Sequence, residues 1–179
     1  MESSFYVTAI SSSIGFVGAG QMATALAHGF VSAGVVSASE IIACDVSLEA
    51  TQRFASKTGG QIATGIREVL SRANIVFLAV KPQHISGVLA EVRPMTSADH
   101  LLISIAAGIS LSKLAEQLEP STRLIRVMPN TPCLVGSGAS AFARGSNATA
   151  SDCELLQRLL STVGLAVEVP EKQLDAVTG

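Results

Sequence analysis

Two kinds of apolar pattern alternate along the chain. Ile14 to Val17, Glu40 to Asp45, Asn74 to Val80, Leu101 to Ile105 and Leu124 to Met128 are short runs of nearly unbroken hydrophobicity. Runs of this length, rich in β-branched residues and bounded by Gly, Pro, Asn or Asp, predict strands buried on both faces. Between them lie segments whose apolar residues recur every three or four positions: Gln21 to Val31, Ser47 to Thr58, Ile66 to Arg72, Pro82 to Val92, Leu111 to Leu118 and Ser151 to Val163. These predict helices, punctuated by Gly34, Gly59-Gly60, Arg93-Pro94 and Pro120, with Ser47 as a cap. Gln61 to Ala63, Ser140 to Ala143 and Gly164 to Val169 read as weaker strands, and Glu171 to Thr178 as the opening of a further helix.

Strands alternating with helices at this spacing predict a doubly wound α/β fold with a mainly parallel sheet. Its organisation is read as a flexible tail over 1–12, one domain over 13–170, and the start of an inter-domain helix over 171–179. In such folds ligands gather outside the carboxyl ends of the strands. That rule singles out five loops: Gly18 to Met22, Asp45 to Ser47, Ala79 to Gln83, Ile105 to Gly108 and Asn130 to Pro132.

Composition narrows the picture. The 179 residues are 48% hydrophobic and only 15% charged, with a mean hydropathy of +0.47. That suits a thick parallel sheet or a face covered by a partner. A net charge of −2 with scattered Lys and Arg argues against nucleic-acid binding. No apolar run reaches the ~20 residues of a membrane helix. Residues Met1 to Ser13 carry no Lys or Arg, unlike a presequence or a secretory signal. The three cysteines (Cys44, Cys133, Cys153) are dispersed and odd in number, so buried free thiols in a reducing compartment, the cytoplasm, are expected. The histidines (His28, His84, His100) form no metal-ligand pattern and read as solvated or helix-surface residues; no metal is expected.

The chemistry concentrates at the first strand end. Gly18-Ala19-Gly20-Gln21-Met22-Ala23 is G-x-G-x-x-A between a strand and a helix, the alanine-ended dinucleotide fingerprint of a Rossmann-like fold. Gly18 permits the tight turn, Gly20 has no Cβ to hold a diphosphate off the backbone, and Ala23 lets the helix lie close on the sheet. The helix's free N–H groups and positive dipole end then face the phosphates. Asp45 ends the second strand 25 positions after Gly20, near the spacing for a carboxylate on the adenosine ribose. The blander reading is a strand–turn–helix without ligand, with Asp45 capping the next helix.

Taken in order, five stretches resemble pyrroline-5-carboxylate reductase: Ile14 to Ala23, Phe77 to Pro82, Ser104 to Gly108, Val127 to Pro132 and Leu174 to Gly179. The resemblance runs from about Ser13 to Gly179. It implies reduction of the cyclic imine 1-pyrroline-5-carboxylate to L-proline with NADPH or NADH, a step of proline biosynthesis. It also implies roles for single residues. Gly18, Ala19, Gly20, Gln21, Met22 and Ala23 would hold the diphosphate, and Asp45 and Ser47 would lie by the adenosine ribose. Ala79, Val80, Lys81 and Pro82 would line the cofactor, with Ile105, Ala106 and Ala107 flanking the nicotinamide. Asn130 and Glu171 would lie on the substrate side. No catalytic acid or base is implied, because an activated imine needs mainly a positioned hydride donor.

Each assignment has a structural alternative. Lys81 can be a solvated strand-end lysine, and Asn130 and Thr131 can fix a Pro-flanked turn. Ala106-Ala107-Gly108 can be small for helix packing, and Glu171 after Pro170 can serve a helix start. Two departures from the resembled family stand out. Ile66 occupies the region of a polar residue before the third helix, and Asp45 suits the free 2′-hydroxyl of NADH where the family commonly accepts NADPH. The family also carries a helical domain beyond the position of Gly179, which makes the dimer and completes the substrate site. A homo-oligomer is therefore expected only with that domain. The alternatives to the reductase reading are a non-catalytic NAD(P)H-binding module and a related reductase acting on another imine or ketone.

Overall fold

The computed structural model describes residues 12–130, 132–133 and 137–174. Eight strands form one sheet: β1 (Ile14–Val17), β2 (Ile41–Cys44), β3 (Gln61–Ile62), β4 (Ile75–Leu78), β5 (Leu101–Ser104), β6 (Arg123–Pro129), β7 (Gly138–Arg144) and β8 (Gly164–Glu168). Their spatial order is β3-β2-β1-β4-β5-β6-β7-β8. The first six are parallel; β7 runs antiparallel to β6 and β8 parallel to β7. The helices are α1 (Gln21–Ser32), α2 (Leu48–Thr58), α3 (Ile66–Arg72), α4 (Ile85–Val92), α5 (Leu111–Ala115), α6 (Ala150–Leu160) and α7 (Glu171–Leu174).

Alternate residues of each central strand enter opposite cores, as the strand period of two requires. Ile14, Phe16, Ile41, Ala43, Ile75 and Phe77 pack with α1, α2 and α6 through Leu26, Phe30, Phe54, Leu156 and Leu159. Phe16 and Phe77, neighbours across β1 and β4, stack with ring centroids 4.9 Å apart. Val17, Ile42, Val76, Leu78 and Leu102 take the other face, under Val69 of α3, Leu89 of α4 and Leu114 of α5. At Gly15 a Cβ would sit 2.4 Å from Val69 Cγ1, so the missing side chain lets α3 press onto the sheet. A smaller apolar patch joins Met128, Ala141 and Ala143 to Leu174 of α7, which is fully buried.

Several expectations shift in detail. Pro82 opens a 3-10 turn over Pro82–His84, and the regular helix starts only at Ile85. The helix expected to reach Leu118 stops at Ala115. Ser140 to Ala143 lies within a seven-residue strand, the antiparallel one. The expected tail falls outside the described residues except for Ser12, and the final helix is described only through Leu174.

Candidate functional site

The sheet order reverses between β1 and β4, so the loops after these strands part around a crevice at their carboxyl ends. The turn after β1 is fixed on two sides. The Gly18 N–H donates to the Cys44 carbonyl at 2.8 Å, and the Ala19 N–H donates to Asp45 Oδ2 at 2.8 Å. Gly18 has φ +102°, and a Cβ there would lie 2.6 Å from the Ala79 carbonyl oxygen. Glycine is thus required both by the backbone conformation and by the loop after β4.

Gly20, two residues on, has the opposite surroundings: a Cβ would meet nothing within 4 Å. It is the N-cap of α1, in extended conformation, with no side-chain cap and no acid in the first turn. Helices α2, α5 and α6, by contrast, are capped by Ser47, Ser110 and Thr149. The first intrahelical bond of α1 is Thr24 N–H to the Gly20 carbonyl, at 3.0 Å. The N–H groups of Gln21, Met22 and Ala23 precede it, at the positive end of a twelve-residue helix. An open space over a bare main-chain helix start fits a diphosphate, by geometry and by charge.

Asp45 is half-buried and uses both oxygens on backbone amides, Oδ2 toward Ala19 and Oδ1 toward Ser47 N–H at 2.8 Å. The capping role considered for Asp45 belongs to Ser47, whose hydroxyl accepts the Ala50 N–H at 3.2 Å. Ile66 opens α3 and is buried in the second core, which explains why no polar residue stands there.

The loops after β4 and β5 join the same edge. Ala79 N–H donates to the Val17 carbonyl at 2.8 Å, and Ile105 N–H to the Leu78 carbonyl at 3.1 Å. Ala79, Val80 and Ile105 are half-buried, whereas Lys81, Pro82 and Ala107 are exposed. Ala106 is the exception: its side chain lies in the second core, and Ser104 Oγ accepts its N–H at 3.3 Å. A small residue is needed there for packing, whatever the loop binds.

On the far side, Asn130 braces its own turn. Its Oδ1 accepts the Ala139 N–H at 2.9 Å, and its carbonyl accepts the Cys133 N–H at 3.1 Å. Thr131 lies outside the described residues. Glu171 Oε1 accepts the Leu111 N–H at 2.6 Å and pairs with Arg126 Nη1 at 3.2 Å. Arg126 is only 2% exposed, the largest of the fully buried side chains. No motif marks it, although an arginine inside Leu124-Ile125-Arg126-Val127-Met128 is the one polar break in that run. It ties α7 and the start of α5 to the sheet beside the loop after β5, since Arg126 and Ser104 are paired in register.

Other titratable groups have structural tasks. Burial pushes the Cys44 thiol up to about 11, so it stays neutral and inert. Burial likewise raises the Cys153 thiol. His100 is buried, contrary to its reading as a solvated residue. Its Nδ1 accepts the Ser97 N–H at 3.0 Å and its Nε2 donates to the Leu70 carbonyl at 3.0 Å. Among the described residues no cluster of His, Cys, Asp or Glu could hold a metal, and no helix is long and apolar enough to cross a membrane. A cavity of about 550 Å³ runs between α1 and α2 from Gln21 at the head of α1, lined also by Thr24, Ala25, His28, Arg53 and Lys57.

Comparison with known proteins agrees with this arrangement. Residues 13–108 match the family described as NADP oxidoreductase coenzyme F420-dependent. The chain is 44% identical over 166 residues to rat pyrroline-5-carboxylate reductase 3, covering 93% of this chain and 60% of that protein. It is 40% identical over 171 residues to human pyrroline-5-carboxylate reductase 2, covering 93% and 53%. Among solved structures it superposes on the pyrroline-5-carboxylate reductase of Coxiella burnetii with a TM-score of 0.89 at 28% identity, covering 94% of this chain and 63% of that one. The Plasmodium falciparum pyrroline carboxylate reductase with NADP bound gives 0.86 at 30% identity, covering 96% and 62%. The chain thus spans about 60% or less of the length of these curated relatives. It belongs to the NADP oxidoreductase coenzyme F420-dependent family, and the relatives it resembles over nearly its whole length are pyrroline-5-carboxylate reductases.

Proposed function

We propose that this chain is the dinucleotide-binding part of an NAD(P)H-dependent pyrroline-5-carboxylate reductase, which reduces 1-pyrroline-5-carboxylate to L-proline. The observation that carries the reading is the uncapped start of α1 beneath open space at Gly20, beside the point where the strand order reverses. The turn from Gly18 to Ala23 holds the diphosphate: Gly18 and Ala19 fix its shape, and the amides of Gln21, Met22 and Ala23 meet its charge. Asp45 and Ser47 stand at the adenosine ribose. Ala79 to Pro82 line the middle of the cofactor, and Ile105 to Ala107 border the nicotinamide.

When bound, the dinucleotide supplies the hydride. The protein's part is to hold the two reacting faces together and to exclude water from them. Asn130 and Glu171 belong to the substrate side, with Arg126 fixing the carboxylate of Glu171 in place. The small-molecule imine is the substrate, and a helical domain of the kind the family carries would add the dimer contacts. A cytoplasmic location is supported by three buried free thiols.

The test is proline formation from the imine by these 179 residues, alongside nicotinamide fluorescence to follow binding. Binding with turnover supports the whole reading. Binding without turnover restricts it to a cofactor-binding module, and binding of neither NADH nor NADPH refutes it.

A further inference from the structure

The loop over 105–110, between β5 and α5, is the one set against the nicotinamide above, and it is held at both ends. At its start the Ile105 N–H donates to the Leu78 carbonyl at 3.1 Å and the Ala106 N–H to Ser104 Oγ at 3.3 Å. At its far end Ser110 caps α5, accepting the Lys113 N–H at 3.3 Å. The next amide, Leu111 N–H, is a first-turn donor that no carbonyl of its own helix can satisfy. Its acceptor comes from 60 positions away: Oε1 of Glu171 in α7, at 2.6 Å. Between these fixed ends Ala107 and Gly108 stand exposed, Gly108 with φ +72°.

The same Glu171 oxygen pairs with Arg126 Nη1 at 3.2 Å, from a side chain that is 32% exposed to one that is 2% exposed. The guanidinium is charged at any pH the protein folds in, and burying it is costly unless a carboxylate stays beside it. Arg126 thereby favours a docked α7, and the docked α7 brings the acceptor that Leu111 needs. Leu174, packed with Met128, Ala141 and Ala143, is the second anchor of α7. Ser104, which holds the near end of the loop, is the neighbour of Arg126 across β5 and β6. Both holds on the loop therefore trace to one place on the sheet.

We infer that Arg126 and Glu171 are positioning residues for the nicotinamide half of the cofactor. They act through the loop over 105–110, so that docking of α7 and seating of the nicotinamide strengthen each other. The inference rests on the dinucleotide reading above and adds what α7 contributes to it. A loop pinned at both ends presents Ala107 and Gly108 in one conformation, and the ring binds without first having to order them. Without Glu171 the far end loses its acceptor, and that ordering falls on the binding step. The coupling is reciprocal, as linkage requires. The adenosine and diphosphate half belongs to β1, β2 and the head of α1, outside this network.

The experiment is isothermal titration calorimetry of the 179-residue chain with NADH and with ADP-ribose, which has a hydroxyl in place of the nicotinamide. Wild type should bind NADH more tightly. Glu171→Ala should shrink that advantage by about fivefold or more, while leaving the ADP-ribose affinity where it was. Glu171→Gln, which keeps a side-chain acceptor for Leu111, should restore part of the advantage. Where Glu171→Ala melts too low to titrate, the double variant Glu171→Ala/Arg126→Met, with no charge left in the pair, should show the same loss. His100→Ala, destabilising but at the opposite end of β5 from the loop, should keep the advantage intact. Amide exchange at Leu111 should slow with NADH and not with ADP-ribose. An advantage that survives both Glu171→Ala and the double variant overturns the inference and leaves the dinucleotide reading standing. So does ADP-ribose weakened as much as NADH, or a wild type that binds the two equally. Binding of neither overturns the reading and this inference with it.

Discussion

Gly18 and Gly20 are two residues apart, yet a methyl group added to each should have very different effects on stability. At Gly18 an alanine must adopt φ +102° and place its Cβ 2.6 Å from the Ala79 carbonyl oxygen. Backbone strain of ~1–3 kcal/mol and overpacking of ~1–3 kcal/mol together cost about 2–6 kcal/mol. For a domain of this size that lowers Tm by roughly 4–24 °C. At Gly20 the backbone is at φ −68°, which alanine adopts freely, and the new methyl meets nothing. Restricting the unfolded chain contributes ~0.4–1 kcal/mol, and alanine's poorer fit at an N-cap offsets it by a similar amount, so the net change should stay within ~1 kcal/mol. The same methyl stands where a diphosphate must approach. Losing one charge-assisted hydrogen bond, ~1.5–3 kcal/mol, weakens binding by about 10- to 100-fold. Differential scanning calorimetry and nicotinamide fluorescence on the two variants read both quantities. Gly20→Ala should melt within a few degrees of wild type while losing affinity. A Gly20→Ala protein that keeps wild-type affinity, or that loses stability as heavily as Gly18→Ala, refutes the assignment of that open space to a ligand.

Other variants probe the supports of the site. Removing Glu171 takes the carboxylate from beside a guanidinium that is 2% exposed. Glu171→Ala should therefore cost ~2–4 kcal/mol, and amide exchange at Leu111 should speed up. Adding Arg126→Met to it should cost less than the sum of the two single changes. His100→Ala leaves the Ser97 amide and the Leu70 carbonyl without the ring, at ~1–3 kcal/mol in denaturant unfolding. The Cys44 thiol, raised by burial from 9.0 to about 11, ionises first in the unfolded chain. Stability should then fall as pH rises from about 9 to 11, and a Cys44→Ala protein should lack that component. At pH 8 a thiol reagent should leave Cys44 unmodified until the chain unfolds.

The sequence carried the central sheet because each of its strands is buried on both faces and has no choice but to be apolar. Ile14 to Val17 and Ile75 to Leu78 needed no context. The antiparallel β7 was harder to read: Ala139, Ala141 and Ala143 interleave with Ser140, Phe142 and Arg144, a pattern too small and mixed to declare itself. Helix α5 was over-extended because Leu118 packs in the second core from a turn beyond the helix end. The phosphate turn was legible, since its requirements fall on small residues adjacent in the chain. The double brace at Asp45 and the Arg126–Glu171 pair were not. The Ala19 limb of the brace spans 26 positions and the Arg126–Glu171 pair 45, and such partners are set by the sheet order rather than by local pattern. His100 was misread for the same reason, as its carbonyl partner lies 30 positions earlier.

The central claim is that the bare main chain at the head of α1 takes the diphosphate. Amide chemical-shift mapping of the labelled chain during titration with NADH tests it most directly. The account predicts the largest shifts at Gly20, Gln21, Met22 and Ala23, with smaller ones at Ala79 and Ile105. Shifts centred instead on the cavity between α1 and α2, at His28, Arg53 and Lys57, with Gly20 to Ala23 unmoved, would contradict it.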